Sequence, residues 1–122
     1  MRTMANEEDE GKGIYEQFFE DGQRQFEVAY ERGMLHGVLR RWDEDGQLLY
    51  EATHVDGVLQ GPYRRWYPSG ELFEESAYQD GKLHGDYVQY SEEGDVLVEM
   101  EFDAGEPVFD EATLAAMEAD DD

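Results

Sequence analysis

The sequence predicts an all-β protein, an antiparallel meander of 24-residue β-hairpin repeats followed by a short C-terminal helix. Three observations carry that expectation. Displacing the chain by 24 positions superposes Gly33, Gly57, Gly81 and Gly105, then Gly13, Gly37, Gly61 and Gly85, then Gly22, Gly46, Gly70 and Gly94. The segments between these glycines are too short for paired helices and suit strands. EDG at 44–46 and PSG at 68–70 are turn sequences in which glycine takes the left-handed position and closes a three-residue hairpin loop.

Met1–Glu10 is polar and acidic, and residues 1–8 are expected to form a disordered tail. The repeat domain then spans 9–106. Its first unit, 9–32, is degenerate: Gly13, Phe18, Asp21 and Gly22 stand where the next unit has Gly37, Trp42, Asp45 and Gly46, but Asp9 replaces the opening glycine. Full units cover 33–56, 57–80 and 81–104, and Gly105 opens another that Pro107 breaks off. Within a unit the turn triplet joins two strands, and a glycine pair, as in GKLHG at 81–85, leads to the next hairpin. A type I turn with a glycine bulge pairs Tyr67 with Glu71, Trp66 with Leu72, Arg64 with Glu74 and Tyr63 with Glu75.

In that register one pleat face is apolar, with Phe26, Val28, Tyr30, Val38, Trp42, Tyr50, Ala52, Pro62, Trp66, Tyr78 and Val88. The other is wet and carries Glu27, Arg41, Asp43, Glu51, Arg65, Glu71, Glu75 and Glu99. A single layer with one apolar face must curl, dimerise or be covered. Residues 107–122 offer the cover: Asp110 caps a short helix, Phe109, Leu114 and Met117 turn toward the sheet, and an acidic tail frays at Asp120–Asp122.

Composition narrows the function. The 122 residues include nine Lys+Arg against 32 Asp+Glu, a formal charge of -23, which repels nucleic acid and anionic lipid and favours cationic partners. Without cysteine there are no disulfides and no thiolate metal sites. The start MRTMANEEDE lacks the charged-then-apolar order of a cleaved leader, so a cytoplasmic location is expected.

Catalysis is not expected, and neither is a cofactor. His36 and His84 share one place in two repeats, but Gln60 and Lys12 occupy it in the others, which reads as a solvated linker position rather than a metal or acid–base site. Asp43, Asp45 and Gly46 resemble part of a calcium loop without its distal bidentate glutamate; turn chemistry accounts for them. No nucleophile motif and no phosphate loop is present.

Two repeated features can carry binding. Glu27, Glu51, Glu75 and Glu99 form a column at one place in every unit, beside Tyr15, Leu39, Tyr63 and Tyr87. This is either solvated strand polarity, with glutamate stems on tyrosine rings, or a binding strip in which aromatics give rigid area and acids select cations. Arg40, Arg41, Arg64 and Arg65 either pair locally with Glu74 and nearby carboxylates or stack at an interface. The candidate partner-binding residues are therefore Arg41, Asp43, Glu51, Tyr63, Arg65, Tyr67, Glu75, Tyr87 and Glu99.

GPYRRWYPSGELFEESAYQDGKLHGDYVQY is similar to the MORN-repeat variant, G-x-x-x-G-x-Y-x-x-Y/W-x-x-x-G-x-L-x-x-E-x-x-Y-x-x-G, as found in the YwqK-like antitoxin family. The similarity covers residues 11 to 106. It departs at Leu39, in place of a tyrosine, at His54, in place of an aromatic, and in the first unit, which lacks the leading glycine and leucine. The resemblance implies a hairpin array that binds protein, as an immunity protein or antitoxin occluding the basic active site of a toxin that acts on nucleic acid. The alternative it implies is a scaffold recruiting a peptide or protein partner. Monomer and dimer both remain open.

Overall fold

Two kinds of turn alternate along the chain, and each is set by its glycine. In the first, the Asp43 N–H donates to the Gln47 carbonyl at 2.9 Å and the Gly46 N–H to the Asp43 carbonyl at 3.0 Å, with Gly46 at φ +87°. This is the three-residue hairpin loop expected from EDG, and it recurs at 19–23, 67–71 and 91–95. In the second, consecutive residues both have positive φ, as at Asp56 (+50°) and Gly57 (+83°), which defines a two-residue type I′ turn. Arg32–Gly33, Asp80–Gly81 and Ala104–Gly105 repeat it.

These turns connect the strands of the computed structural model, which describes residues 2–6 (by their backbone), 12–109 and 115. The strands are β1 (Arg2–Asn6), β2 (Lys12–Phe18), β3 (Arg24–Glu31), β4 (Met34–Trp42), β5 (Leu48–Val55), β6 (Val58–Trp66), β7 (Leu72–Gln79), β8 (Lys82–Leu83), β9 (Gly85–Tyr90), β10 (Val96–Asp103) and β11 (Glu106–Val108). They form one 11-stranded antiparallel sheet in chain order, β8 pairing with β7 beside the main path. The all-β meander of hairpin repeats is therefore the observed architecture.

The register inside each hairpin departs from expectation. Trp66 faces Leu72, but the next pair is Arg65 with Glu74, so Phe73 is an extra residue, a β-bulge. Beyond it Arg64 faces Glu75 and Tyr63 faces Ser76, rather than Glu74 and Glu75. Gln25, Leu49 and Leu97 are the corresponding extra residues in the other hairpins. A one-residue slip exchanges the faces of a whole strand. Val38, Trp42, Pro62, Trp66 and Val88 consequently lie on the face opposite Phe26, Val28, Tyr30, Tyr50, Ala52 and Tyr78, and the single apolar face proposed from the sequence is divided between both sides.

The more buried side is the one with the tyrosines. One cross-strand row runs Tyr15, Val28, Leu39, Ala52, Tyr63, Ser76, with Tyr87 and Met100 continuing it on β9 and β10. Large side chains from the first strand of each hairpin alternate with smaller ones from the second, which sink between their neighbours: Val28, Ala52 and Ser76 are 5, 0 and 4% exposed. Rings join across strands, Tyr50 with Tyr63 at 5.3 Å and Tyr63 with Tyr78 at 5.4 Å. Tyr30, His54, Tyr78 and Phe102 each stand opposite a glycine, Gly13, Gly37, Gly61 and Gly85, where a ring covers the backbone left bare.

The ends also differ from expectation. Arg2–Asn6, read as part of a disordered tail, pairs with β2 from Arg2↔Glu16 to Asn6↔Lys12 and covers an edge that would otherwise be open. At the other end the repeat continues past 106: Pro107 faces Phe102 in β11, an edge strand, where a missing N–H is tolerated. The helix expected from Asp110, with Leu114 and Met117, falls outside the described residues, while Phe109 is 38% exposed.

Candidate functional site

The bulges put a charged row on the face opposite the tyrosines. In register across the sheet run Glu16, Glu27, Arg40, Glu51, Arg64, Glu75, Val88 and Glu99. Arg40 donates from Nε to Glu51 at 2.8 Å and from Nη1 to Glu27 at 3.2 Å. Arg64 does the same one repeat later, to Glu75 at 2.9 Å and to Glu51 at 3.5 Å. Arg24 adds a contact to Glu27 at 2.7 Å and to Glu16 at 3.5 Å, and its guanidinium lies 5.6 Å from the Trp42 ring. The hydrogen bond to Glu51 raises the pKa of Arg40, and that to Glu75 the pKa of Arg64. The result is an alternating ladder bordered by Trp42, Pro62 and Trp66.

The tyrosine face carries a different polar group. Glu74 occupies a place held by Phe26, Tyr50 and Val98 in the other repeats. Its side chain is 7% exposed and accepts from Arg65 at 2.9 Å and from Tyr87 Oη and Gln89 Nε2 at 3.3 Å each. The Arg65 guanidinium also sits 4.8 Å from the Phe73 ring, which packs 4.9 Å from Tyr67. Arg41, Leu49, Tyr50, Arg65, Pro68 and Phe73 line a hollow of about 310 Å³ here. Burial, with Tyr50 adding to it, pushes the Tyr63 hydroxyl up to about 12; burial and Glu74 raise Tyr78 and Tyr87.

The nine expected binding residues thus do not make one strip. Glu51, Glu75 and Glu99 are on the ladder face, whereas Arg41, Tyr63, Arg65 and Tyr87 are on the tyrosine face, because the bulge separates residues that an unbulged hairpin would place together. Tyr67 follows β6 at the start of the turn, packs on Phe73 and donates its hydroxyl to the Tyr90 carbonyl at 2.8 Å. Asp43 is a turn residue: its Oδ1 accepts the Asp45 and Gln47 N–H groups at 2.9 Å each. Arg40 and Arg64, absent from that set, are the ladder's cations; their signal in the sequence was a 24-residue recurrence in phase with the glutamates.

The histidine position is part of the scaffold. The Asp56 N–H donates to His36 Nδ1 at 3.4 Å and the Ala104 N–H to His84 Nδ1 at 3.2 Å, and in the intervening repeat the Asp80 N–H donates to Gln60 Oε1 at 3.1 Å. Each side chain holds the type I′ turn of the following repeat boundary. Among the described residues no group of three or more His, Asp or Glu is placed to hold a metal ion, and no helix is long and apolar enough to cross a membrane.

No match was found among proteins of described function or among solved structures. The family profile described as MORN repeat variant matches residues 35–56, 59–80 and 83–104. Each matched segment is one three-residue-turn hairpin of the sheet, and repeats of this kind are generally protein- or membrane-binding modules. The three segments are consecutive, share the spacing of the turns and make up more than half of the sequence, and the chain belongs to the MORN repeat variant family.

Proposed function

We propose that this protein is a non-enzymatic binding module that acts in the cytoplasm by covering a cationic surface of a partner protein, as an immunity protein or antitoxin covers the basic active site of a toxin acting on nucleic acid. The observation that carries the reading is the charge of -23, to which the described residues of a single-layer sheet with two broad faces contribute 22 Asp+Glu against nine Lys+Arg. Solubility of a small domain needs a magnitude of only about 2 to 8, and self-repulsion on the larger scale costs stability. A cationic partner draws on that excess twice, in the rate of encounter and in the choice of partner.

The test is made with the product of the adjacent gene. Its expression alone should arrest growth, and coexpression with this protein should restore it. In surface-immobilised kinetics the association rate should fall about tenfold or more between low and physiological salt while dissociation changes little. An association rate indifferent to salt, or a harmless neighbour, refutes the occlusion reading and leaves a scaffold for a peptide or protein partner.

A further inference from the structure

The ladder has a regular rule and two departures from it. Positions 16, 40, 64 and 88 are equivalent under the 24-residue repeat, and they hold Glu16, Arg40, Arg64 and Val88; at the first, Arg24 reaches both Glu16 and Glu27, so the acids there keep a cation. Arg40 lies between Glu27 and Glu51, and Arg64 between Glu51 and Glu75. Val88 lies between Glu75 and Glu99 in the same register. The acids of the third step are therefore present without the cation.

Atom by atom the difference is specific. Glu51 gives Oε2 to Arg40 and Oε1 to Arg64. Glu75 gives Oε2 to Arg64, and its Oε1 takes no hydrogen bond or ion pair among the described residues. The Glu75 side chain is accordingly 43% exposed, against 20% for Glu51. Glu99 is exposed and likewise makes no ion pair among the described residues. On the β7 side of Val88 the surface dips into a depression of about 540 Å³ lined by Pro62, Arg64, Glu75, Ala77, Val88 and Tyr90, with Asp86 as a further acid, and Glu99 stands on the other side of Val88, outside it.

We propose that an arginine of a bound protein lies over Val88 and completes the ladder, its guanidinium bridging Glu75 and Glu99 and its methylene stem resting on Pro62, Ala77 and Tyr90. This rests on the occlusion reading above and names the group on the partner that the sheet receives. Two internal copies show that the spacing accommodates a guanidinium: Arg40 and Arg64 each reach one acid from Nε and the acid on the other side from Nη1. A planar fork serves two carboxylates on either side of it, whereas a lysine ammonium is a point charge on a flexible stem, so arginine is the residue selected. The apolar walls suit an arginine stem, which buries its methylenes and keeps its head with the acids.

The probe is the peptide acetyl-Gly-Arg-Gly-amide, titrated into the isotopically labelled protein and followed by amide chemical shifts, with acetyl-Gly-Lys-Gly-amide as control. The arginine peptide should move the Ala77, Val88 and Tyr90 amides and bind at least about threefold more tightly than the lysine peptide. Val88→Arg supplies the missing cation from within and should weaken peptide binding about tenfold or more, with a urea midpoint no lower than the parent's. Glu99→Gln, at an exposed position, should weaken it about threefold without touching the fold. Equal binding of both peptides, shifts spread over the whole acidic surface, or V88R and E99Q proteins that bind as the parent does would overturn the site. The two proposals fail separately: a salt-sensitive partner whose association V88R leaves unchanged removes this site alone, and a salt-insensitive partner removes the occlusion reading while the peptide result stands.

Discussion

Glu74 is, among the described residues, the charged side chain that the fold takes furthest from water, and Arg65 makes its burial tolerable. Arg65→Ala would leave a carboxylate whose side chain is 7% exposed with Tyr87 Oη and Gln89 Nε2, both at 3.3 Å, as its remaining donors. Breaking a buried pair by removing one partner costs about 3–5 kcal/mol. Arg65 itself is 41% exposed, so water enters where it stood, and the expected loss is about 2 to 3 kcal/mol. Glu74→Tyr removes the charge together with its desolvation and installs the residue that Tyr50 supplies one repeat earlier; its expected stability lies within about 1 kcal/mol of the parent. Adding E74Y to R65A should then recover most of the loss, since no buried charge is left behind. Urea unfolding followed by the fluorescence of Trp42 and Trp66 measures all four proteins, with the m-value checking that the unfolding transition is shared. A loss below about 0.5 kcal/mol for R65A, or a larger loss for E74Y than for R65A, refutes the reasoning.

Three further outcomes are expected. Ser76 is 4% exposed and its Oγ has no hydrogen-bond partner among the described residues, while Ala52 fills the equivalent place, so Ser76→Ala should raise stability by about 0.5–1 kcal/mol in the same urea assay. Ala104 is held at φ +51° in its type I′ turn, and Ala104→Gly should relieve that strain and add about 0.4–1 kcal/mol, read as a higher thermal midpoint. Burial lowers the pKa of His54, so the unfolded chain takes up a proton first and the fold loses stability as pH falls through about 6.5. His54→Tyr, matching Tyr30 and Tyr78, should show a smaller decline between about pH 7.5 and about 5 than the parent in paired urea titrations.

The repeat, its hairpins, the three-residue turns and the existence of a glycine-marked link between hairpins were legible because glycine at a fixed phase is a backbone requirement that few other residues meet; the type I′ form of those links was not. The faces were not. The extra residue of each bulge is Gln25, Leu49, Phe73 or Leu97, three of them apolar residues of the kind found at ordinary strand positions, and nothing in a side chain marks it as the one the ladder skips. Both sides of the sheet also carry apolar residues, so alternation alone did not expose the slip: Trp66 looks as much like core as Tyr63 does. The neighbours Arg64 and Arg65 therefore read as one basic patch, although one belongs to the ladder and the other to Glu74 on the far side. The strand at 2–6 was hidden for another reason, since a five-residue segment, RTMAN, followed directly by an acidic run, is joined to β2 there by backbone pairing, which composition does not report.

The order of strands in the sheet, almost identical to their order in the chain, has a consequence for how the molecule comes apart. Each hairpin leans only on the one before and the one after, so cooperativity is a property of neighbours, as in a row of coupled links. Opening starts at the ends and advances inward hairpin by hairpin, and amide exchange should be slowest across β5 and β6. The same wiring makes length adjustable: a spliced-in copy of residues 57–80 would enter as one more link, carrying its own Arg64, Glu75 and turns, and would displace no existing contact beyond the joint.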